Sequence, residues 1–495
     1  MEEDKELLQD ESEGPSRRDF LKTGLAAAAA VGLAGTPLDA LAQAKKAPPK
    51  KEPAKPPVPP ELKIEKDAVL RVLRWEVFVQ GDKDLWNKNT KKWEEATGCK
   101  VMLEYLSWED VRPKAAMAAS VGAGHDIVLG WHDDPHLYPD KLLDVTDIAT
   151  YLGKKYGGWE PVCPKYAINP KTGRWIALPL GGPVNCINYR ESWVKEVGYE
   201  KPPSDIQEFI KMCKKLKAKG HPPGFALGHA VGDGNNWTHH WLWTFGGKCV
   251  DKDANVVINS PETINALEAV KELYETLIPG TASWLDPHNN KAFLAGEISV
   301  TTNGISIYAA AKDKWPEIAK DMNHVNMPIG PVKKPTELHL FNQAFIFKYT
   351  RFPNACKHYL TFMLEEPQAA PWINAMIGYV GPGLKGYKKL PVWTSDPKIT
   401  PFRDCIANML WNGYEGPEGP ASAAAMAEYI VVDLIADVCV GGKSPKDAAL
   451  IAEHAPAAAR ALSCIESVSL TVINMAFRRE QVAHPLDGFG FLVPR

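Results

Sequence analysis

Three apolar, β-rich runs, at residues 69–79, 100–106 and 126–129, alternate with helical stretches at 84–97 and 110–120. No other feature of the chain restricts its fold as strongly. Strands spaced by helices predict an α/β sheet, mostly parallel. Gly98 stands where the first helix needs a C-cap. Ligands of such sheets lie beyond the carboxyl ends of the strands. The segments to inspect are therefore 76–83, Ser107-Trp108 and 130–138. Further along, 175–189 (WIALPLGGPVNCINY) is apolar but broken by Pro-Leu-Gly-Gly-Pro, which predicts a strand that kinks and crosses between two lobes. Helices are expected over 202–219, 353–364, 368–376, 421–440 and 445–462, another from Ser260-Pro261 onward, and one ending at 291–295 before a strand at 298–302.

The N-terminus reads as an address rather than as structure. Ser16-Arg17-Arg18-Asp19-Phe20-Leu21-Lys22 precedes a weakly apolar Ala/Gly run, and Ala40-Leu41-Ala42 supplies small residues at a cleavage spacing. This is the pattern of a twin-arginine signal peptide over residues 1–42, which predicts export to the periplasm. Residues 43–61 form a Pro/Lys-rich linker, extended by its prolines. Lys and Arg total 57 against 60 Asp and Glu. That balance argues against a nucleic-acid partner, which calls for a strongly basic face. None of the nine cysteines forms CxxC or CxxCH, so iron–sulfur, haem-attachment and zinc-ribbon sites find no support, and no cofactor is expected.

The order of motifs resembles the family 1 extracellular solute-binding proteins of ABC importers, the maltose-binding-protein-like group of carbohydrate uptake. The likeness is carried by Gly81-Asp82-Lys83 with the stretch from Trp93 to Val101. It continues through Asp126-Ile127-Val128-Leu129 followed by Trp131-His132-Asp133-Asp134, and Ala177-Leu178-Pro179-Leu180 with Asn188-Tyr189. Phe293-Leu294-Ala295-Gly296-Glu297 with Thr302-Asn303-Gly304, and Asn354 through Trp372, complete it. It spans roughly residues 68–462. The resemblance implies a two-lobed periplasmic-binding-protein fold (type II), with the cleft between lobes joined by hinge crossings. Lobe one is expected at 68–180 plus 335–375, lobe two at 181–334 plus 376–462, and 463–495 as a C-terminal extension with no role assigned. A monomer is expected, with a small-molecule solute and the importer's membrane subunits as partners.

A sugar ring has apolar C–H faces and a fringe of hydroxyls, so its site needs flat aromatic platforms with polar side chains at the edges. By resemblance, Trp131 stacks on the ring while Asp133 and Asp134 accept from hydroxyls. Asp82 and Lys83 match the family's first-loop positions, with Glu76 and Phe78 nearer the strand end as substitutes. Trp237 and His239 come from the densest polar–aromatic cluster of the second lobe, at 235–241. Asn303 follows its strand. The aromatic platform that family members place shortly after it is replaced by Ser306 and Ile307, with Tyr308 next, which hints at a ligand other than a long maltodextrin. Asn185, Asn342 and Gln343 are placed near the crossings to supply amides, and Tyr379 and Trp411 are further candidates.

Two other readings stand beside this one. His132-Asp133-Asp134-Pro135-His136 and His239-His240 have residue types that suit zinc or manganese, which makes a metal-binding protein the alternative. A ligand-sensing partner of a membrane receptor would use the same fold. An enzyme is not expected: the chain carries no G-x-S-x-G, H-E-x-x-H or P-loop.

Overall fold

The computed structural model describes residues 56–463, with side chains to 454. The signal peptide, most of the linker and the C-terminal extension lie outside the described residues. Strands are numbered throughout; helices are numbered in chain order where they bear on the site. β1 (Val69–Trp75) pairs in parallel with β2 (Lys100–Leu106), from Val69 opposite Lys100 to Trp75 opposite Leu106, and with β3 (Ile127–Gly130). Between them run α1 (Gln80–Thr97) and α2 (Trp108–Val121). Gly98 ends α1 in the left-handed region at φ 74°, its N–H donating to Glu94 O, as the sequence predicts.

The first run is shorter than expected. β1 stops at Trp75, and residues 76–79 leave the sheet as a loop that delivers the chain into α1 at Gln80. The sheet is also less parallel than expected. β8 (Asn342–Ile346) runs antiparallel to β3 and to β4 (Leu178–Gly182), and β9 (Gly381–Pro382) antiparallel to β4, giving the order β2-β1-β3-β8-β4-β9. The reason is topological: β8 enters this sheet from the other lobe rather than through a βαβ crossover, which frees it from the parallel rule. β9 lies beyond residue 375, the expected end of lobe one's second segment, yet pairs here.

A second sheet has the order β6-β5-β7, all antiparallel, from β5 (Cys186–Arg190), β6 (Val300–Asn303) and β7 (Met322–Val325). The expected kink is therefore a change of sheet: β4 ends at Gly182 in the first and β5 begins at Cys186 in the second. The chain returns between β7 and β8. The two passages touch: a Cβ on Gly182 would lie 2.0 Å from Leu340 O, so only glycine fits there. The Ala-rich segment at 421–440 is not one helix but two, Pro420–Ala427 and Ile430–Cys439, broken at Tyr429, which is left-handed at φ 57° and stacks its ring on His229.

Tryptophan mostly fills the cores. Trp75, Trp86, Trp93, Trp131, Trp237, Trp243, Trp372 and Trp393 are each fully buried. Among the described residues no helix is long and apolar enough to cross a membrane.

Candidate functional site

The two sheets aim their strand ends at a common cleft that encloses about 290 Å³ of empty space, open solvent included. One wall is aromatic. Phe78, in the loop after β1, and Trp108, directly after β2, meet edge to face with ring centres 5.1 Å apart. Trp108 donates its indole N–H to Glu76 O at 2.9 Å, which fixes the ring. Leu340 from the crossing and Tyr379 complete this wall.

The facing wall is polar and comes from four elements. Asn185 ends the first crossing. Asp233 opens α3 (Asp233–Thr244), Asp286 opens α4 (Asp286–Leu294), and Asn303 ends β6. Asp233 accepts from Asn185 Nδ2 at 3.1 Å and from Asn289 Nδ2 at 2.7 Å. Asp286 accepts from the backbone N–H of Asp233 at 2.7 Å and of Gly232 at 3.1 Å. Asn303 reaches Asn289 and Asn290, and Ser306 donates to Asn303 Oδ1 at 3.2 Å. Burial raises the Asp233 pKa well above the usual carboxylate range, and the charge of Asp286 raises it further. Asp286 is pushed up to about 6, chiefly by burial. Stacking surface thus faces a rigid set of carboxylate and amide groups across a narrow gap.

Of the residues expected to bind, Phe78, Asn185, Asn303 and Tyr379 line this cleft. The others stand elsewhere. Trp131 is fully buried behind Trp108, 4.7 Å from it between ring centres, and 5.8 Å from Trp75. Asp133 and Asp134 are buried, each bonded at 2.6 Å by Arg112. Asp82 is buried under Arg74, at 2.8 and 2.9 Å, and accepts from the Trp372 indole at 2.7 Å. Lys83 and Glu76 pair with each other at 2.7 Å. Trp237 is core, donating to Ala226 O at 2.6 Å. His239 turns back on its own helix, 2.9 Å from Asn235 O. Tyr308 donates to Asp396 at 2.7 Å, and Asn342 lies within β8. Trp108, Asp233, Asp286, Asn290 and Ser306 line the cleft without having been singled out as contacts.

Of the histidines of the metal alternative, His132 lies near enough to His239 to act on its charge, and the others turn to backbone carbonyls. His136 Nε2 lies 3.1 Å from Lys165 O, and His240 Nδ1 lies 3.0 Å from Thr336 O. Among the described residues no three His, Cys, Asp or Glu side chains are disposed to hold a metal ion.

Buried titratable groups give the fold a pH optimum. Burial pushes Glu418 up to about 8, so with Asp286 it stays protonated where the unfolded chain has ionised. Stability is then lost as pH rises from about 4, where the unfolded carboxyls ionise, until it has passed the folded values of about 6 and 8. Burial holds His132 down to about 3, His239 to about 4 and His324 to about 3. These stay neutral while the unfolded chain protonates below about 6.5, so stability is lost as pH falls below that value. The melting temperature should peak near pH ~6 and drop on both sides. A midpoint climbing steadily from acid to pH 8.5 would refute this balance.

Residues 88–401 match the family model described as bacterial extracellular solute-binding protein, and residues 14–34 match the twin-arginine translocation signal. The chain belongs to that family of binding proteins, and its signal directs it through the twin-arginine pathway to the periplasm. Among individual relatives, it is 25% identical over 213 residues to a probable ABC transporter-binding protein of Deinococcus radiodurans, covering 41% of this chain and 51% of the relative. The match thus spans about half the length of that curated relative. Solved structures share the fold. Maltose-bound MalE3 of T. maritima aligns with a TM-score of 0.66 at 17% identity, over 79% of this chain and 100% of that one. A sugar transporter from Arthrobacter chlorophenolicus A6 with bound laminaribiose gives 0.68 at 16% identity, over 79% and 98%. A putative oligosaccharide periplasmic-binding protein from Synechococcus sp. MITs9220 in complex with zinc gives 0.65 at 14%, over 79% and 99%. These likenesses establish the two-lobed periplasmic-binding-protein architecture.

Proposed function

We propose that the protein captures a sugar or sugar-like solute in this cleft and delivers it to the membrane subunits of an ABC importer. The observation that carries the reading is the pairing of walls: Phe78 and Trp108 offer apolar faces to a ring, while Asn185, Asp233, Asn290, Asn303 and Ser306 offer edges to its hydroxyls. Burial makes each unmet hydroxyl costly, which gives such a site its selectivity. Solutes reported in the structural relatives, maltose and laminaribiose, are of the same chemical kind. Lobe one is taken as 68–180 plus 335–375, extended to take in β9, and lobe two as 181–334 plus the rest of 376–462. They move at the touching passages near 180–188 and 334–340. A solute that contacts both walls favours the closed form because those contacts exist together only when the lobes are shut. The chain works as a monomer, with no step of chemistry on the solute.

The test is a thermal-shift screen of the mature protein against sugars and polyols. A midpoint rising with the concentration of one of them supports the reading, since a ligand that binds only the folded state stabilises it by mass action. A shift given by zinc or manganese alone, and reversed by EDTA, would favour the metal-binding alternative instead.

A further inference from the structure

The cleft holds two carboxyl groups whose ionised form a neutral sugar leaves without a counter-charge. Asp233 and Asp286 are each only 5% exposed, and among the described residues no Lys, Arg or His lines the cavity. The two carboxylates do not have the same occupation. Asp286 accepts backbone N–H groups at the start of α3, which accounts for its place in the structure. Asp233 accepts only from the neutral amides of Asn185 and Asn289, one from each side. They hold it on the cleft wall without supplying a counter-charge.

The surroundings supply none either. Glu109 on α2 adds negative charge near Asp286, and the Tyr429 phenol faces the same group. Arg74 is bound to Asp82, and Arg112 to Asp133 and Asp134. On the opposite wall, Tyr379 is 3% exposed and close enough to Asp233 and Asp286 to feel both charges, yet no hydrogen bond reaches its hydroxyl among the described residues. Tyr379 lines the cavity, so its hydroxyl is free to pair with a solute there. Phe78 and Trp108 line the same cavity, and their π systems attract cations.

We infer that the solute carries a protonated amine, as an amino sugar or aminocyclitol does, with its ammonium on Asp233 and its ring between Trp108 and the amide wall. The inference rests on the sugar-like reading of the cleft and narrows it. An ammonium donates up to three hydrogen bonds and favours the ionised carboxylate that burial alone disfavours, whereas a hydroxyl donates one and supplies no counter-charge. A divalent cation fits less well, because two carboxylates without a third acidic or imidazole ligand make a poor cage.

Matched pairs decide the matter. Titration calorimetry of the mature protein would compare glucosamine with glucose and N-acetylglucosamine, and an aminocyclitol with myo-inositol, each with EDTA and with calcium or zinc chloride. The expected result is that an amine-bearing member binds at least tenfold more tightly than its neutral counterparts. Asp233→Asn, which keeps the shape but cannot ionise to meet an ammonium, should reduce that ratio below twofold. Equal or tighter binding of the neutral members overturns the inference and leaves the sugar reading standing. A signal from metal salt alone, abolished by EDTA, overturns it in favour of a cation. If no member of either set binds to folded protein, the sugar reading fails and the inference falls with it.

Discussion

Replacing Arg112 by leucine is expected to lower the stability of the protein by about 3–5 kcal/mol, the range for breaking a buried ion pair by removing one partner. Arg112 joins two carboxylates at once, Nε to Asp134 and a terminal nitrogen to Asp133, both at 2.6 Å. Both aspartates are fully buried, one Asp133 oxygen has no hydrogen-bond partner among the described residues, and Asp134 is further tied to the Trp131 N–H at 2.8 Å. Leucine fills part of the space and leaves two like charges side by side in a dry site. Burial already raises the pKa of both groups against the pull of Arg112. Without the guanidinium they rise further. A carboxyl whose folded-state pKa is raised contributes stability below its unfolded pKa and loses it as pH climbs through the folded value. The deficit of the variant should therefore be larger at pH 8 than at pH 5. Urea unfolding at the two pH values measures this directly. A loss under about 1 kcal/mol, equal at both, would mean that water or another cation reaches the aspartates.

The same aspartates show what the sequence could and could not disclose. The order of strands and helices was legible because hydrophobic period and caps are local: Gly98 stands where the sequence places it, and the break expected at 179–183 falls just beyond, at 183–185. The antiparallel entry of β8 was not, because nothing local states that a strand arrives from another lobe. The site divides along the same line. Phe78 and Trp108 follow their strands directly, so the strand-end rule reaches them. Asp233 and Asp286 lie 53 positions apart and meet only because two helices start at the same point in space. Read alone, each is an ordinary acidic residue at a helix start. Asp133 and Asp134 misled in the opposite sense. A dense polar loop after a strand looks like a contact surface, and the residue that turns it inward, Arg112, sits on another helix.

Trp131 and Phe78 should separate stability from binding. Trp131→Ala removes a fully buried indole packed between Trp75 and Trp108, and the cavity should cost about 3–5 kcal/mol. Affinity would fall too, but through Trp108, whose ring loses the surface behind it. Phe78→Ala acts differently. Phe78 is only partly buried and stands on the cleft wall, so its loss should cost little stability and weaken the proposed solute by about tenfold or more, the loss of one stacking contact of ~1.4 kcal/mol. Trp131→Phe completes the comparison. It deletes an indole N–H that has no partner among the described residues, keeps most of the packing, and should restore both stability and affinity toward wild type. Chemical unfolding and calorimetry on the three variants give the two quantities independently. If Trp131→Ala abolished binding at unchanged stability, the indole would have to touch the solute itself. The cleft would then extend behind Trp108, and the aromatic wall would be two layers deep rather than one. If Phe78→Ala left affinity untouched, the solute would be held by the polar wall alone, and selectivity would rest on Asp233 and the amides around it.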